Sequence, residues 1–505
     1  MAKIKQTQKL EAALFSAADK LRKNIDAAEY KHIVLGLVFL KYISDSFESL
    51  HKELLSQNED AEDKDEYIAK NIFFVPQDSR WSALLSKAKS PQIGKDLDYA
   101  LDLIEKDNPQ LKGVLPKVYA KDNLDSATLG DLINLIDSIS LNQENTSDIL
   151  GHIFEYFLGE FALSEGKKGG QFYTPKSVVE LLVAMLEPYN GRVFDPCCGS
   201  GGMFVQSERF VREHQGKISD ISIYGQESNQ TTWRLAKMNL ALRKIDSSSL
   251  KWNSEGSFLN DAHKDLKADF IIANPPFNAT DWGSEALEND VRWQYGTPPS
   301  TNANYAWISH FIHHLAPKGR AGFVLAKGSL TSNTSTEGQI RKNLIESNLI
   351  ECIVNLPAKL FLNTQIPACL WFIKRNKSHN NTLFIDARSL GELINRKNRI
   401  LTQSDIAKIA ETYHKWQKAQ EQKDGDYSDI LGFCKSTSKE EIANLGYVLT
   451  PGRYVGLAED EEDFDFEREF TRLKAELESQ IKEERILSEK ILNNLEIIGG
   501  NENIS

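Results

Sequence analysis

The sequence has no long apolar run, few cysteines and no excess of positive charge, and each shortage removes a class of protein. Its longest strongly apolar stretch, Ile33 to Leu40, falls far short of the ~20 residues a membrane span needs. The opening MAKIKQTQKLEAA lacks the apolar core of a signal peptide, so a cytoplasmic protein without a membrane partner is expected. Five cysteines, two of them adjacent at Cys197 and Cys198, form no C-x-x-C pair and no secreted-domain framework; reduced, mostly structural thiols are expected. A formal net charge of −12 argues against holding bare DNA or RNA by bulk electrostatics. A nucleic-acid role would have to run through local basic patches, such as Lys167 with Lys168 or Arg396, Lys397 and Arg399, or through a partner. A recognisable metal-ligand set is also missing. His310 and His314 stand one helical turn apart in HFIHHL, but no carboxylate or thiolate lies near them in sequence, so ordinary helix histidines and no metal are expected.

What is present is an ordinary globular composition, with 41% hydrophobic and 26% charged residues over 505 positions, enough for two or three domains. Residues 1–160 carry a helical pattern. Within them Asp26 and Glu29 have capping-box spacing ahead of YKHIVLGLVFLKYISDSFESL, which is apolar over most of its circumference, as at the centre of a bundle. The acidic segment SQNEDAEDKDEY reads as a surface loop.

Residues 161–390 switch to short apolar strands alternating with amphipathic helices, the pattern of a mostly parallel sheet covered on both faces. Strands are predicted at Arg192–Phe194, Ile221–Tyr224, Asp269–Ala273, Ala321–Leu325, Ile350–Val354, Ala368–Ile373 and Thr382–Ile385, the last three as an antiparallel addition at one edge. Residues 391–505 return to helix. Phe466, Phe470, Leu473, Leu477, Gln480, Glu484, Leu487, Ile491, Asn494 and Ile498 recur at three- or four-residue spacing, an interrupted seam that suits a partner helix as well as self-packing.

The loop VFDPCCGSGGMF follows the first predicted strand. Gly199, Gly201 and Gly202 let a ligand approach the backbone, and Asp195 ends the strand, where open α/β sheets bind ligands. Neither G-x-G-x-x-G nor the phosphate-loop signature is present. Asp195 would repel a pyrophosphate and attract the ammonium of an amino acid. Glu227, in YGQES, is placed to accept from both hydroxyls of a ribose, and Asp261 from an adenine amino group. Ammonium, ribose and adenine together describe S-adenosylmethionine.

After the next strand stands Asn274-Pro275-Pro276-Phe277, which cannot continue a ladder. An exocyclic amine on a base is a poor nucleophile because its lone pair is delocalised into the ring. Two acceptors holding its hydrogens, the Asn274 side-chain oxygen and a proline carbonyl, would localise that pair, and the prolines make the rim stiff. Phe277 is expected to be exposed and to stack on a base swung out of the duplex. The long segment from Asn278 to Asn304 is expected to order over the extruded base and the DNA backbone.

Together these residues resemble DNA amino-methyltransferases, and the whole chain is similar to the modification (methylation) subunit of type I restriction-modification systems. The resemblance rests on AEYKHIVLGLVFLKYISDSFE, GGQFYTPKSVVELL, DPCCGSGGM, NPPF and YVLTPGRYVG with the final helix, and so spans nearly the whole chain. It implies a Rossmann-like S-adenosylmethionine-dependent methyltransferase sheet at 161–390, an N-terminal helical domain at 1–160 and a C-terminal helical region with a partner-binding tail at 391–505.

For the site, the resemblance implies that Gln171, Phe172, Tyr173, Thr174, Pro175 and Lys176 surround the methionine part of the cofactor. Ser200, Gly201 and Gly202 would line its other side, Glu227 would hold the ribose, and Asn274 to Phe277 would form the target-base site. It further implies adenine N6 as the target in DNA, a separate specificity subunit that reads the sequence, two copies of this chain per specificity subunit, and a restriction subunit for cleavage in host defence. The Cys197-Cys198 pair departs from the small residues commoner there. Three rival readings remain: methylation of cytosine N4, methylation of a protein glutamine amide, which is commonly accompanied by tyrosine after the prolines, and a silent assembly subunit.

Overall fold

The computed structural model describes residues 27–121, 124–138, 153–154, 156–159, 174–217, 220–361, 366–395, 398–422, 426–456 and 466–499. Asp26, Lys167, Lys168, Gln171, Phe172, Tyr173, Arg396 and Lys397 lie outside the described residues. Residues Met1–Val455 make one compact unit and Gly456–Ser505 a second.

The all-round apolar segment forms the helix Ala27–Ser56, and Val34, Leu35, Leu37, Val38, Phe39 and Leu40 within it are fully buried. Such a helix needs neighbours on every side, and it finds them in Trp81–Ser86 and Ser126–Asp137. Gly36 is required where a side chain would meet the Tyr119 hydroxyl at 2.3 Å; that hydroxyl instead donates to the Ile33 carbonyl at 2.9 Å. The acidic segment is a loop only in its first half, because Lys64–Ala69 forms a short helix that buries Tyr67. The apolar core of these helices continues into Leu235, Met238 and Leu242 at the end of the helix Gln230–Ala241, which ties the helical region to the sheet.

The sheet has nine strands: β1 Gly191–Asp195, β2 Ile221–Glu227, β3 Leu250–Trp252, β4 Ala268–Ala273, β5 Leu315–Ala326, β6 Ile350–Asn355, β7 Ala368–Lys374, β8 Thr382–Asp386 and, beyond a small ribbon of β9 Glu392–Leu393 and β10 Arg399–Ile400, β11 Cys434–Thr437. Their order is β11-β8-β6-β7-β5-β4-β1-β2-β3. All seven predicted strands are present, and most are apolar runs lying between two separate cores, as β6 and β7 are, buried almost throughout. The predicted antiparallel edge is corrected in part. β7 runs antiparallel to both β5 and β6, but β8 is parallel to β6, and β11 forms the outer edge. The link from β7 to β8 crosses the start of β6, where the Lys377 ammonium donates to the carbonyls of Ile350 and Asn381.

From β1 the chain moves outward through β2 and β3, then returns to place β4 on the other side of β1. The connections therefore diverge between β1 and β4, leaving a crevice at the carboxyl ends of those two strands.

Beyond Val455, the helix Phe466–Gly499 exposes about half of each of Leu473, Leu477, Leu487 and Ile491, four members of the predicted seam.

Candidate functional site

Three strand ends supply the crevice. Asp195 is the last residue of β1, Glu227 the last of β2, and Asn274 follows the last residue of β4. The glycine loop after β1 turns tightly, with Gly199 at φ 53° and Gly201 at φ 79°, a left-handed backbone that favours glycine, before the helix that starts at Gly202. The loop is braced from behind. The Gly199 N–H donates to Glu227 Oε2 at 3.0 Å, the Cys198 N–H to the Gln226 carbonyl at 3.1 Å, and Asn239 Nδ2 to the Ser200 carbonyl at 2.8 Å.

Thr174, Lys176, Asp195, Gly199, Ser200, Gly202 and Asn274 line one cavity, together with Met203 and Asn239. Residues a hundred positions apart in sequence thus share one space. Pro175 caps the helix Lys176–Leu186 beside it. Asn239 was not anticipated; an amide within the otherwise apolar MNLAL was its only signal.

Burial dominates the electrostatics. It raises the Asp195 carboxyl from its ordinary 3.8 to about 7, against the opposing hydrogen bonds from Cys197, and it raises Glu227 as well. The Glu227 carboxylate accepts from the N–H groups of Gly199 and Asn229. Burial also pushes the Cys197 and Cys198 thiols well above their usual value, so both are poor nucleophiles.

Asn274 has a divided environment. Its Nδ2 donates to Thr174 Oγ1 at 2.8 Å, while its Oδ1 is buried without a hydrogen-bond partner. A buried acceptor left in this state costs roughly 1–3 kcal/mol, so it is a group prepared for a ligand's donor. Pro275 is buried and Pro276 exposed.

Two expectations, on Phe277 and on the segment that follows it, are corrected. Phe277 is not exposed: it is 7% accessible, with the ring of Phe361 packed against it at 5.8 Å. Asp261, like Glu227, is not among the residues lining the cavity. Its Oδ2 lies 2.8 Å from His314 Nε2 and its Oδ1 accepts from the His263 N–H. Burial works to raise its pKa, but the hydrogen bonds from His314 and from the His263 N–H bring it well below the carboxylate range.

The segment after Phe277 is already packed. Trp282 and Trp293 are each 8% exposed and donate to the carbonyls of Pro299 and Leu287, and Asn278 and Asn304 bond to each other at its two ends. Arg292, which no motif flagged, reaches from this segment to the carbonyls of Ser257 and Phe258. The Ser257 hydroxyl in turn bonds to the Pro196 carbonyl, next to Asp195.

The fold thus supplies the carboxylate that the sequence did not show beside the two histidines: donor atoms of Asp261, His310 and His314 lie within 4.8 Å of one another. Arg292 Nη1, however, is 3.1 Å from His310 Nδ1, so that nitrogen accepts and Nε2 carries the proton. A protonated Nε2 has no lone pair for an ion, and burial drives His310 well below its usual pKa, which keeps the ring neutral.

Residues 145–463 match the N-6 DNA Methylase family, and residues 10–136 match the HsdM N-terminal domain. The chain is 48% identical to the type I restriction enzyme HindI methylase subunit of Haemophilus influenzae, over 84% of this chain and 100% of that one. It is 38% identical to the type I restriction enzyme MjaIX methylase subunit of Methanocaldococcus jannaschii, over 98% and 92%. Among solved structures, the methyltransferase subunit of the type I restriction-modification system from Streptococcus thermophilus superposes with a TM-score of 0.77 at 27% identity, covering 89% of this chain and 99% of that one.

Proposed function

Because this chain belongs to the N-6 DNA methylase family, among the methylase subunits of type I restriction enzymes, we propose that it transfers a methyl group from S-adenosylmethionine to adenine N6 in DNA, at a sequence chosen by a partner specificity subunit. The observation that carries this reading is the orphaned Asn274 Oδ1, a buried acceptor at the carboxyl end of β4 in the same cavity as Asp195 and the glycine loop.

The donor set suits the cofactor. Among the described residues Asp195 is a buried carboxyl without a cationic partner to offset its burial, suited to an ammonium group, and Glu227 stands at the next strand end, where a ribose would be held. Thr174, Pro175 and Lys176, with Ser200, Gly201 and Gly202, would enclose the methionine part, joined by Gln171, Phe172 and Tyr173. Bound there, S-adenosylmethionine supplies a sulfonium methyl group. Asp261, in the turn before β4, would accept from the adenine amino group.

On the substrate side, Asn274 Oδ1 and a proline carbonyl accept the two N–H bonds of the target amine and hold its lone pair out of conjugation. The chain aligns rather than activates, so no strong general base is required; the methylated nitrogen becomes acidic and its proton leaves to water. Phe277 reaches an extruded base only when Phe361 gives way.

Two copies of this chain would join one specificity subunit, with a restriction subunit added for cleavage. In this division of labour 1–160 is a helical domain, 161–390 the catalytic domain and 391–505 the partner-binding region, its half-exposed apolar seam along Phe466–Gly499 seated on a partner helix. The acidic net charge fits this arrangement, because the partner reads the DNA.

The test supplies labelled S-adenosylmethionine and DNA to the chain with and without its specificity subunit, and analyses the digested nucleosides by mass spectrometry. The expected product is N6-methyladenine from the complex. N4-methylcytosine, label on protein, or no transfer by the complex would each replace this reading with one of its rivals.

A pH dependence follows from Asp195. Its folded value of about 7 lies above the ordinary 3.8, so the free folded chain holds a proton that the unfolded chain releases, and this contribution to stability is lost as pH rises from about 4 through about 7. An ammonium partner needs the ionised form, so cofactor affinity is expected to climb up to tenfold per pH unit below about 7 and level off above it. Titration calorimetry of the complex from about pH 5.5 to about pH 8 reads this directly. A flat profile removes Asp195 from the ammonium contact.

A further inference from the structure

Thr174 is half-buried at the edge of the cavity, immediately before the Pro175 cap of the helix Lys176–Leu186. It is also the residue that takes the Asn274 amide hydrogen, across a hundred positions of sequence. An asparagine amide presents an acceptor at one end and two donors at the other, and only one sense of the group can receive an amine: turned over, it would set N–H against N–H. In this structure Nδ2 faces Thr174 and Oδ1 is left free in a buried position.

A hydroxyl is itself two-sided, and would serve a turned-over amide equally well by donating to it. What removes this ambiguity is a second acceptor for the hydroxyl proton. Thr174 lines the same cavity as Asp195 and Ser200, so an acceptor atom of the molecule bound there, such as an amino-acid carboxylate, can take that proton. Thr174 Oγ1 then has only lone pairs to offer Asn274.

We propose that Thr174 is a positioning residue that relays occupancy of the cofactor cavity to the catalytic amide: a cavity ligand accepts from the Thr174 hydroxyl, the hydroxyl accepts from Asn274 Nδ2, and Asn274 Oδ1 is thereby fixed toward the target amine. This deepens the methyltransferase reading and rests on it. The relay differs from a simple binding contact in what it controls. A contact that only holds the cofactor governs how much is bound, whereas the relay governs how fast the bound complex reacts.

The experiment uses the complex with its specificity subunit and compares Thr174→Val, close to isosteric but without the hydroxyl, with Thr174→Ser, which keeps it. Steady-state methylation is followed at saturating DNA over a range of S-adenosylmethionine concentrations, alongside calorimetric affinity without DNA and the melting temperature. The expected result is a ten- to hundredfold fall in kcat for Thr174→Val at saturating cofactor, with a smaller change in affinity, and Thr174→Ser within about threefold of the parent. If kcat is unchanged at saturation, or if Thr174→Ser is impaired as severely as Thr174→Val, the relay is wrong. Should Thr174→Val melt early or fail to assemble, Thr174→Ala takes its place under the same criteria. Failure of the underlying reading looks different, because the parent complex itself would then yield no N6-methyladenine.

Discussion

Asn274→Ala is expected to all but abolish methyl transfer, lowering kcat by about a hundred- to a thousandfold, while the complex with the specificity subunit still assembles. The expectation follows from what the side chain does for the rest of the protein, which is little. Among the described residues, its Oδ1 bonds to nothing and its Nδ2 bonds to the half-buried Thr174. Removing the amide therefore relieves an orphaned acceptor while sacrificing one neutral hydrogen bond, and the two changes are of similar size, about 1–2 kcal/mol each. Stability should hardly move. The chemical step has no such compensation. Without the oxygen, one N–H of the target amine is unheld and the lone pair stays in the ring, the kind of loss that costs about 3–4 kcal/mol at a preorganised acceptor or donor. Single-turnover transfer and native mass spectrometry of the assembled complex check the two halves separately. A kcat within tenfold of the parent would show that Asn274 is not the acceptor.

The sequence made the strands legible where burial on both faces leaves a nearly unbroken apolar run, as in Ala368–Lys374; β6 is buried throughout despite Glu351. β3 and β11 escaped for the opposite reason: LKW is only three residues long, and CKST presents two polar residues at an outer edge. Asp195 and Glu227 were legible as acids at the ends of apolar runs, and Asn274 as an amide ahead of two prolines that break a strand.

Direction was not legible. Asp261 stands just before β4, as expected, but His314, from a helix more than fifty residues later, takes its Oδ2. Phe277 follows the prolines as expected, yet Phe361, from beyond β6, covers its ring. Thr174 could be placed near a ligand from its own motif, whereas its bond to Asn274 depends on the helix Lys176–Leu186 packing on β4 and β5, a contact that no local pattern encodes.

Arg292 is the clearest case of such a hidden contact, and its loss is expected to open the segment behind the target-base rim. A guanidinium has five N–H donors, and here all five are taken. Nε and Nη2 fork onto Asp290 at 2.7 and 2.8 Å, Nη2 also reaches the Phe258 carbonyl at 2.7 Å, and Nη1 reaches the Ser257 carbonyl at 3.2 Å and His310 Nδ1 at 3.1 Å. The side chain is 7% exposed, so these partners have little water to turn to when it is gone. Arg292→Met keeps the apolar stem and removes every one of these bonds. Asp290 is the costliest remnant: burial alone would raise its pKa, and the bonds from Arg292 more than reverse this. Because Asp290 retains some solvent access, the loss is set at about 3 kcal/mol, the low end for breaking a buried pair. That energy falls on the link between residues 278–303 and the turn at Ser257 and Phe258. The expected results are protease cleavage within the segment at least tenfold faster, since such cleavage follows the population of the open form, and weaker cofactor binding through the Ser257 bond to Pro196. Arg292→Lys should recover little, because one ammonium cannot span the fork. Limited proteolysis of the assembled complex, with calorimetry of cofactor binding, decides it: cleavage at the parental rate in Arg292→Met would mean the segment is held by its tryptophans alone.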